Sequence, residues 1–169
     1  MRLWLLRHAK SSWDDPRAPD EDRPLTPRGV RAAERMGEHL GALDIRPELV
    51  LCSSALRTRQ TLARVLPGLG TALEVRIEQT MYTFDADVLL ERLRDVSPEV
   101  SSVLLVGHNP ALQDLAVRLA DRSDRLDELA LKFPTGALAE IEFGSGPWHT
   151  LAERPGELTR FVVPRELEA

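Results

Sequence analysis

Four consecutive apolar residues, Val103-Leu104-Leu105-Val106, stand between Ser101-Ser102 and Gly107-His108. A run this short, apolar at both alternating sets of positions, is the pattern of a strand covered on both faces. Leu3 to Leu6 and Leu49-Val50-Leu51 repeat it, and Leu73 to Ile77 is a further short strand candidate. Between these runs the apolar spacing becomes helical. Val30, Ala33, Met36, Leu40 and Leu43 follow Thr26-Pro27, where Thr26 can serve as N-cap and Pro27 suits the first turn. A second helix is expected from about Ala55 to Leu66, ahead of Pro67-Gly68. A third spans Ala86 to Val96, and a fourth runs from Pro110 to about Leu119. Strands alternating with helices imply an α/β fold with a mostly parallel sheet and helices on both faces. After Pro134 the pattern changes. Ala137 to Phe143 alternates, Gly144 to Pro147 reads as a turn, Trp148 to Leu151 is expected to return antiparallel, and Leu158 to Val163 is a last strand. With no repeat or linker, one domain over residues 1–169 is expected.

Charge and cysteine content narrow the function. A net charge of −5 argues against general affinity for nucleic acid or an anionic membrane, so a basic site must be a local pocket. Cys52 is the only cysteine, which excludes an internal disulfide and a cysteine metal cluster. The opening Met-Arg-Leu-Trp-Leu-Leu-Arg-His is too soon charged for a signal segment, and no stretch approaches the ~20 apolar residues of a membrane span. A cytoplasmic location is expected.

In parallel α/β sheets ligands gather at the carboxyl ends of the strands. Arg7-His8 follows the first strand. Ser53, Ser54 and Arg57 follow the second, at the start of a helix. Gly107-His108-Asn109 follows the Val103–Val106 strand. Two histidines and two arginines are thus expected in one crevice. Arginine offers paired planar donors that match phosphate oxygens. A neutral imidazole can attack phosphorus, and a second histidine can donate to the equatorial oxygens where charge accumulates. Taken singly, a histidine at a strand end is more often a structural hydrogen-bonder, and an arginine early in a helix is more often solvated. His39 and His149 are read in that way. Zinc on His8 and His108 lacks a clearly placed third ligand, so no metal and no cofactor are expected.

Leu6-Arg7-His8-Ala9-Lys10-Ser11 resembles the Arg-His motif of the histidine phosphatase superfamily. The segment Ser53-Ser54-Ala55-Leu56-Arg57-Thr58-Arg59-Gln60-Thr61 is similar to its Ser-x-x-x-Arg-x-x-Gln-Thr stretch. Val106-Gly107-His108-Asn109-Pro110 is similar to its second-histidine motif. Arg23-Pro24-Leu25-Thr26-Pro27-Arg28-Gly29 and Phe161-Val162-Val163-Pro164-Arg165 resemble the small phosphohistidine phosphatases of the SixA type. The resemblance implies a three-layer α/β/α sandwich of phosphoglycerate-mutase-like form. It also implies His8 as nucleophile, with Arg7, Arg57 and His108 around the phosphoryl group; Ser53 is added as a substrate-binding candidate.

One departure bears on the substrate. In Met81-Tyr82-Thr83-Phe84-Asp85, Thr83 stands where relatives often carry a glutamate that protonates the leaving oxygen. Glu78 and Asp85 are the nearby candidates for a general acid. An alkoxide needs such help; an imidazole leaving from phosphohistidine needs less. The leading expectation is therefore a metal-independent phosphatase acting on phosphohistidine, in a protein or as a small phosphoramidate. The alternatives are a phosphatase of a sugar phosphate or nucleotide, and a non-catalytic phosphate-binding domain. The acidic loop with Asp14, Asp15, Asp20, Glu21 and Asp22 is expected to border the pocket and to repel highly anionic ligands unless turned outward.

Overall fold

The computed structural model describes residues 1–168. Six strands form one sheet: β1 (Arg2–Arg7), β2 (Leu49–Ser53), β3 (Glu74–Glu78), β4 (Ser102–Gly107), β5 (Leu138–Glu142) and β6 (Glu157–Val162). Their spatial order is β3-β2-β4-β1-β5-β6. The first four run parallel, whereas β5 and β6 are antiparallel to their neighbours. The helices are α1 (Pro27–Ala42), α2 (Leu56–Val65), α3 (Ala86–Arg94), α4 (Ala111–Leu119) and α5 (Asp124–Leu131).

Successive side chains of a strand point to opposite faces, and the core divides accordingly. Leu3, Leu5, Val103 and Leu105 pack with Leu89, Leu93, Leu112 and Leu115 on the face covered by α3 and α4. Trp4, Leu6, Leu104 and Val106 pack with Met36, Leu40, Leu62 and Val65 on the face covered by α1 and α2. The result is the expected three-layer sandwich.

The expected Trp148–Leu151 strand is not formed. Trp148–Thr150 is a short 3-10 turn, and the strand beside β5 is β6. Burial explains the difference: Trp148 is 1% exposed and donates its Nε1–H to the Val100 carbonyl at 2.6 Å, so it belongs to the core. Helix α5 has no counterpart among the expected elements, although Ser123 caps it by accepting from the Leu126 N–H.

Sheet order positions the site. β2, β4 and β1 lie side by side, with Arg7 level with Gly107 and Cys52 level with Val106. The chain therefore leaves three adjacent strands at one height, and His8, Ser53 and His108 emerge together.

Candidate active site

His8 is 7% exposed, and its Nδ1 lies 2.7 Å from the Ala9 carbonyl oxygen. A carbonyl only accepts, so Nδ1 carries the proton and Nε2 presents a lone pair. The His108 ring lies 5.3 Å from the His8 ring, centroid to centroid. Its Nε2 is 2.7 Å from Ser53 Oγ, which in turn accepts from the Ala55 N–H. With the Ser53 hydroxyl proton directed at His108 Nε2, the ring proton of His108 stands on Nδ1. Ser53 is fully buried, and its hydroxyl is hydrogen-bonded to the His108 imidazole.

Arg7 donates Nη1–H to the Phe133 carbonyl at 2.8 Å. Arg57, in the first turn of α2, is 2% exposed, whereas Arg59 is exposed and folds back onto the Ser54 carbonyl. Three buried nitrogens in this cluster have no partner among the described residues: Arg7 Nε, Arg57 Nε and His108 Nδ1. Buried donors are rarely left unmatched. Burial lowers the His8 pKa to about 4; the Ala9 bond opposes this, and the charges of Arg57, Arg7 and Arg23 add to it. Burial also takes His108 down to about 3, reinforced by His8 and Arg57. Both rings are neutral near pH 7. Arg7 is lowered as well, by burial first and then by the Arg57 charge. The arrangement concentrates cationic and N–H donors around one uncharged imidazole nitrogen, which suits binding and attack at a tetrahedral oxyanion.

Asp20 is a member of this cluster that sequence reasoning did not place. The acidic loop turns this one carboxylate inward. Arg57 donates Nη1–H to the Asp20 carbonyl at 2.6 Å and Nη2–H to its Oδ2 at 3.0 Å. Arg23 donates to Oδ1 at 3.0 Å, and the Tyr82 hydroxyl donates to Oδ2. Burial opposes ionisation, but the Tyr82 and Arg57 hydrogen bonds and the Arg57 charge hold Asp20 at about 2. Its spacing from Arg23, in Asp20-Glu21-Asp22-Arg23, is the signal that could have found it. Tyr82 and Phe84 pack edge-on against His108, with centroids at 5.4 and 5.7 Å.

Neither acid candidate joins the cluster. Glu78 accepts two hydrogen bonds from Arg92, at 2.7 and 2.8 Å, which lower its pKa despite burial. Asp85 caps α3 by accepting from the Asp87 N–H. Thr83 accepts from the Asp85 N–H. Cys52 lies beneath the site in β2 with its thiol pushed up to about 12 by burial, so it supplies no thiolate. No group of three or more His, Cys, Asp or Glu among the described residues is arranged to hold a metal ion.

The flanking motifs are fasteners. Thr61 Oγ1 accepts from the Ala9 N–H at 3.0 Å, and Gln60 Oε1 accepts from the Leu25 N–H at 2.8 Å. The Thr26 N–H donates to the Lys10 carbonyl at 2.8 Å. At Gly29 a Cβ would stand 2.2 Å from that same carbonyl oxygen, so only glycine lets α1 approach the loop after His8.

Sequence comparison agrees with the geometry. The profile of the Histidine phosphatase superfamily (branch 1) matches residues 3–86. An uncharacterised protein of Mycobacterium leprae is 36% identical over 95% of this chain and all of its own length. The chain belongs to the histidine phosphatase superfamily, and its class is that of the phosphatases. Escherichia coli phosphohistidine phosphatase SixA is 30% identical over 88% of this chain and 91% of its own. A solved structure of the protein histidine phosphatase SixA complexed with tungstate superposes with a TM-score of 0.81 at 25% identity, covering 99% of this chain and all of that one.

Proposed function

We propose that this chain is a metal-independent phosphatase that passes a phosphoryl group through His8 Nε2 to water, and that its substrate is phosphohistidine or a related phosphoramidate. One observation carries the reading: a buried, neutral His8 with a bare Nε2 stands among Arg7, Arg57 and His108, each with a buried nitrogen that has no partner among the described residues. The name of the Escherichia coli relative and the oxyanion held by the solved SixA structure support it.

In the first step the Nε2 lone pair attacks phosphorus and the substrate P–N bond breaks, its electron pair returning to the leaving imidazole. That ring departs neutral when its other nitrogen already carries a proton. The Arg7, Arg57 and His108 donors hold the three equatorial oxygens as charge builds on them. In the second step water attacks, the bond to Nε2 breaks, and orthophosphate leaves with the water proton passing to phosphate or solvent. His8 returns neutral, with its Nδ1 proton still on the Ala9 carbonyl.

Leaving-group chemistry selects the substrate. The carboxylate nearest the cluster, Asp20, is ionised at working pH and has no proton to give. Glu78 is ion-paired with Arg92. A site without a proton donor loses about 10²–10⁴ in rate on alkoxide leaving groups but not on imidazole or aryl oxide. The test is kcat/KM over phosphohistidine, phosphoimidazole, an aryl phosphate, sugar phosphates and nucleotides, in the presence of a chelator. Phosphoramidates and aryl phosphates should lead by at least about a hundredfold. A preference for a sugar phosphate or nucleotide would overturn the substrate reading. Activity abolished by chelator and restored by a divalent ion would overturn the mechanism.

A further inference from the structure

Beside the site lies a groove of about 450 Å³ that the phosphoryl chemistry does not use. Its floor is apolar, built from Phe161, Val163 and Pro164 with Ala32 of α1. Its rim carries Lys10, Arg28, Lys132 and Arg165, all exposed and without an ion pair among the described residues. Of its two carboxylates, Glu168 is engaged by Arg35 at 3.3 Å, which leaves Glu128 alone against four cations. This happens in a chain of net charge −5. Leu131, the last residue of α5, projects from the same rim with 88% of its surface exposed.

The groove and the site share backbone. Lys10 lies two residues past His8. Pro134 and Thr135 line the groove, while the neighbouring Phe133 carbonyl holds Arg7 and the Gly136 N–H donates to the carbonyls of Arg7 and His8, at 3.1 and 2.9 Å. A chain segment lying in the groove therefore ends beside the nucleophile.

We propose that this groove docks an acidic segment of the phosphohistidine-bearing protein, with an apolar side chain on the Phe161–Pro164 floor and carboxylates along the Lys10, Arg28, Lys132 and Arg165 rim. The inference rests on the phosphohistidine reading above and names the class of protein that fits it. Charge complementarity selects the occupant: an unpaired basic rim on an acidic protein attracts an acidic segment and repels a basic one. An apolar floor within that rim adds affinity that salt does not screen.

The experiment compares the wild type with Lys132→Glu/Arg165→Glu, two exposed positions outside the phosphoryl site. Substrates are phosphoimidazole and two phosphohistidine peptides of equal length, one flanked by glutamates and one by lysines. For the glutamate peptide, kcat/KM should fall about tenfold or more in the variant, through KM. Phosphoimidazole turnover should stay within about twofold, which also reports that the variant is folded. In the wild type, added salt should erase the preference for the glutamate peptide. Equal losses on phosphoimidazole and peptide, or no preference between the peptides, would overturn the proposal. Salt-sensitive self-association of the wild type that the variant loses would assign the groove to a second copy of this chain and overturn it too. Fluorescence anisotropy with the unphosphorylated glutamate peptide reads the groove without turnover. Binding that is lost in the variant supports the groove even where phosphohistidine is not hydrolysed, and then only the substrate reading falls.

Discussion

Asp20→Asn should weaken the fold and tighten anion binding at once. The carboxylate sits 3.0 Å from Arg57 Nη2 with a pKa held at about 2, against an ordinary 3.8. Taken whole, that depression is worth about 2.4 kcal/mol at neutral pH. The Asp20 side chain is 42% exposed, so solvent screening leaves roughly 1 kcal/mol. For a chain of this size the expected loss in Tm is about 2–4 °C. The effect on ligands has the opposite sign. A phosphoryl oxygen on the remaining Arg57 donors would lie roughly 5–6 Å from the carboxylate. At an effective dielectric of about 40, set between protein and water, each unit charge there feels about 1.5 kcal/mol of repulsion. Removing it should tighten phosphate or vanadate by about tenfold. Asparagine keeps the side-chain shape, and the Asp20 backbone carbonyl that holds Arg57 Nη1 at 2.6 Å is untouched. Scanning calorimetry and isothermal titration at matched ionic strength read the two quantities. Weaker anion binding in the variant would refute the reasoning, because it would mean that Asp20 acts mainly by holding Arg57 in place.

His8→Ala should abolish turnover, and label trapped from substrate on the wild type should be acid-labile, base-stable and located on His8; recovery on another residue would exclude it as nucleophile. Arg57→Ala should weaken phosphate by at least about tenfold through loss of a charged hydrogen bond, with Arg59→Ala within about twofold, as read by calorimetric titration. With folded pKa values of about 4 for His8 and about 3 for His108 against 6.5 unfolded, the unfolded chain binds more protons as pH falls from 6.5. Stability should therefore drop on acidification through that window, His8 alone accounting for up to about 3 kcal/mol; Asp20 adds its loss from about 3.8 toward 2. Ring proton resonances that report His8 or His108 protonated at pH 6 in the ligand-free protein would contradict this. Gly29→Ala should cost about 1–3 kcal/mol, seen as a lowered denaturation midpoint, because its Cβ meets the Lys10 carbonyl oxygen at 2.2 Å.

Much of this is legible in the sequence. The continuous apolar runs of β1, β2 and β4 announce strands covered on both faces, and their following residues are the histidines and Arg57 that the sheet order brings together. Two residues apart on α2, Arg57 and Arg59 point about 200° apart around the helix axis. What the sequence hides are partnerships. Trp148 reads as a strand residue in an alternating region, but its large ring and indole N–H find the core and the Val100 carbonyl instead. Ser53 reads as a ligand group because it heads the Ser-x-x-x-Arg stretch, but nothing in that stretch announces its hydrogen bond to His108. Five carboxylates crowd one loop, and composition treats them alike. Only the 3-10 turn at Asp20–Asp22 decides that Asp20 faces Arg57 while Glu21 accepts from the Ser54 hydroxyl.

The Arg-Pro-Leu-Thr segment can be given a physical role from these contacts. Arg23 stands between Asp20 and the Ser11 hydroxyl, at 3.0 and 2.9 Å, with its guanidinium over the Trp13 ring at 3.5 Å. Leu25 is held by Gln60 of α2, Thr26 by the Lys10 carbonyl, and Gly29 admits that carbonyl against α1. The segment thus ties the loop after His8 to both helices of one face and, at its start, delivers a charged carboxylate to Arg57 beside His8. A carboxylate so thoroughly hydrogen-bonded as an anion is the opposite of a proton donor, since each bond from Arg57, Arg23 and Tyr82 favours the ionised form. The same contacts that order the loop therefore leave the site without acid assistance on that side. The substrate proposed above fits that arrangement, because the protonated imidazole of phosphohistidine departs without a proton from the protein.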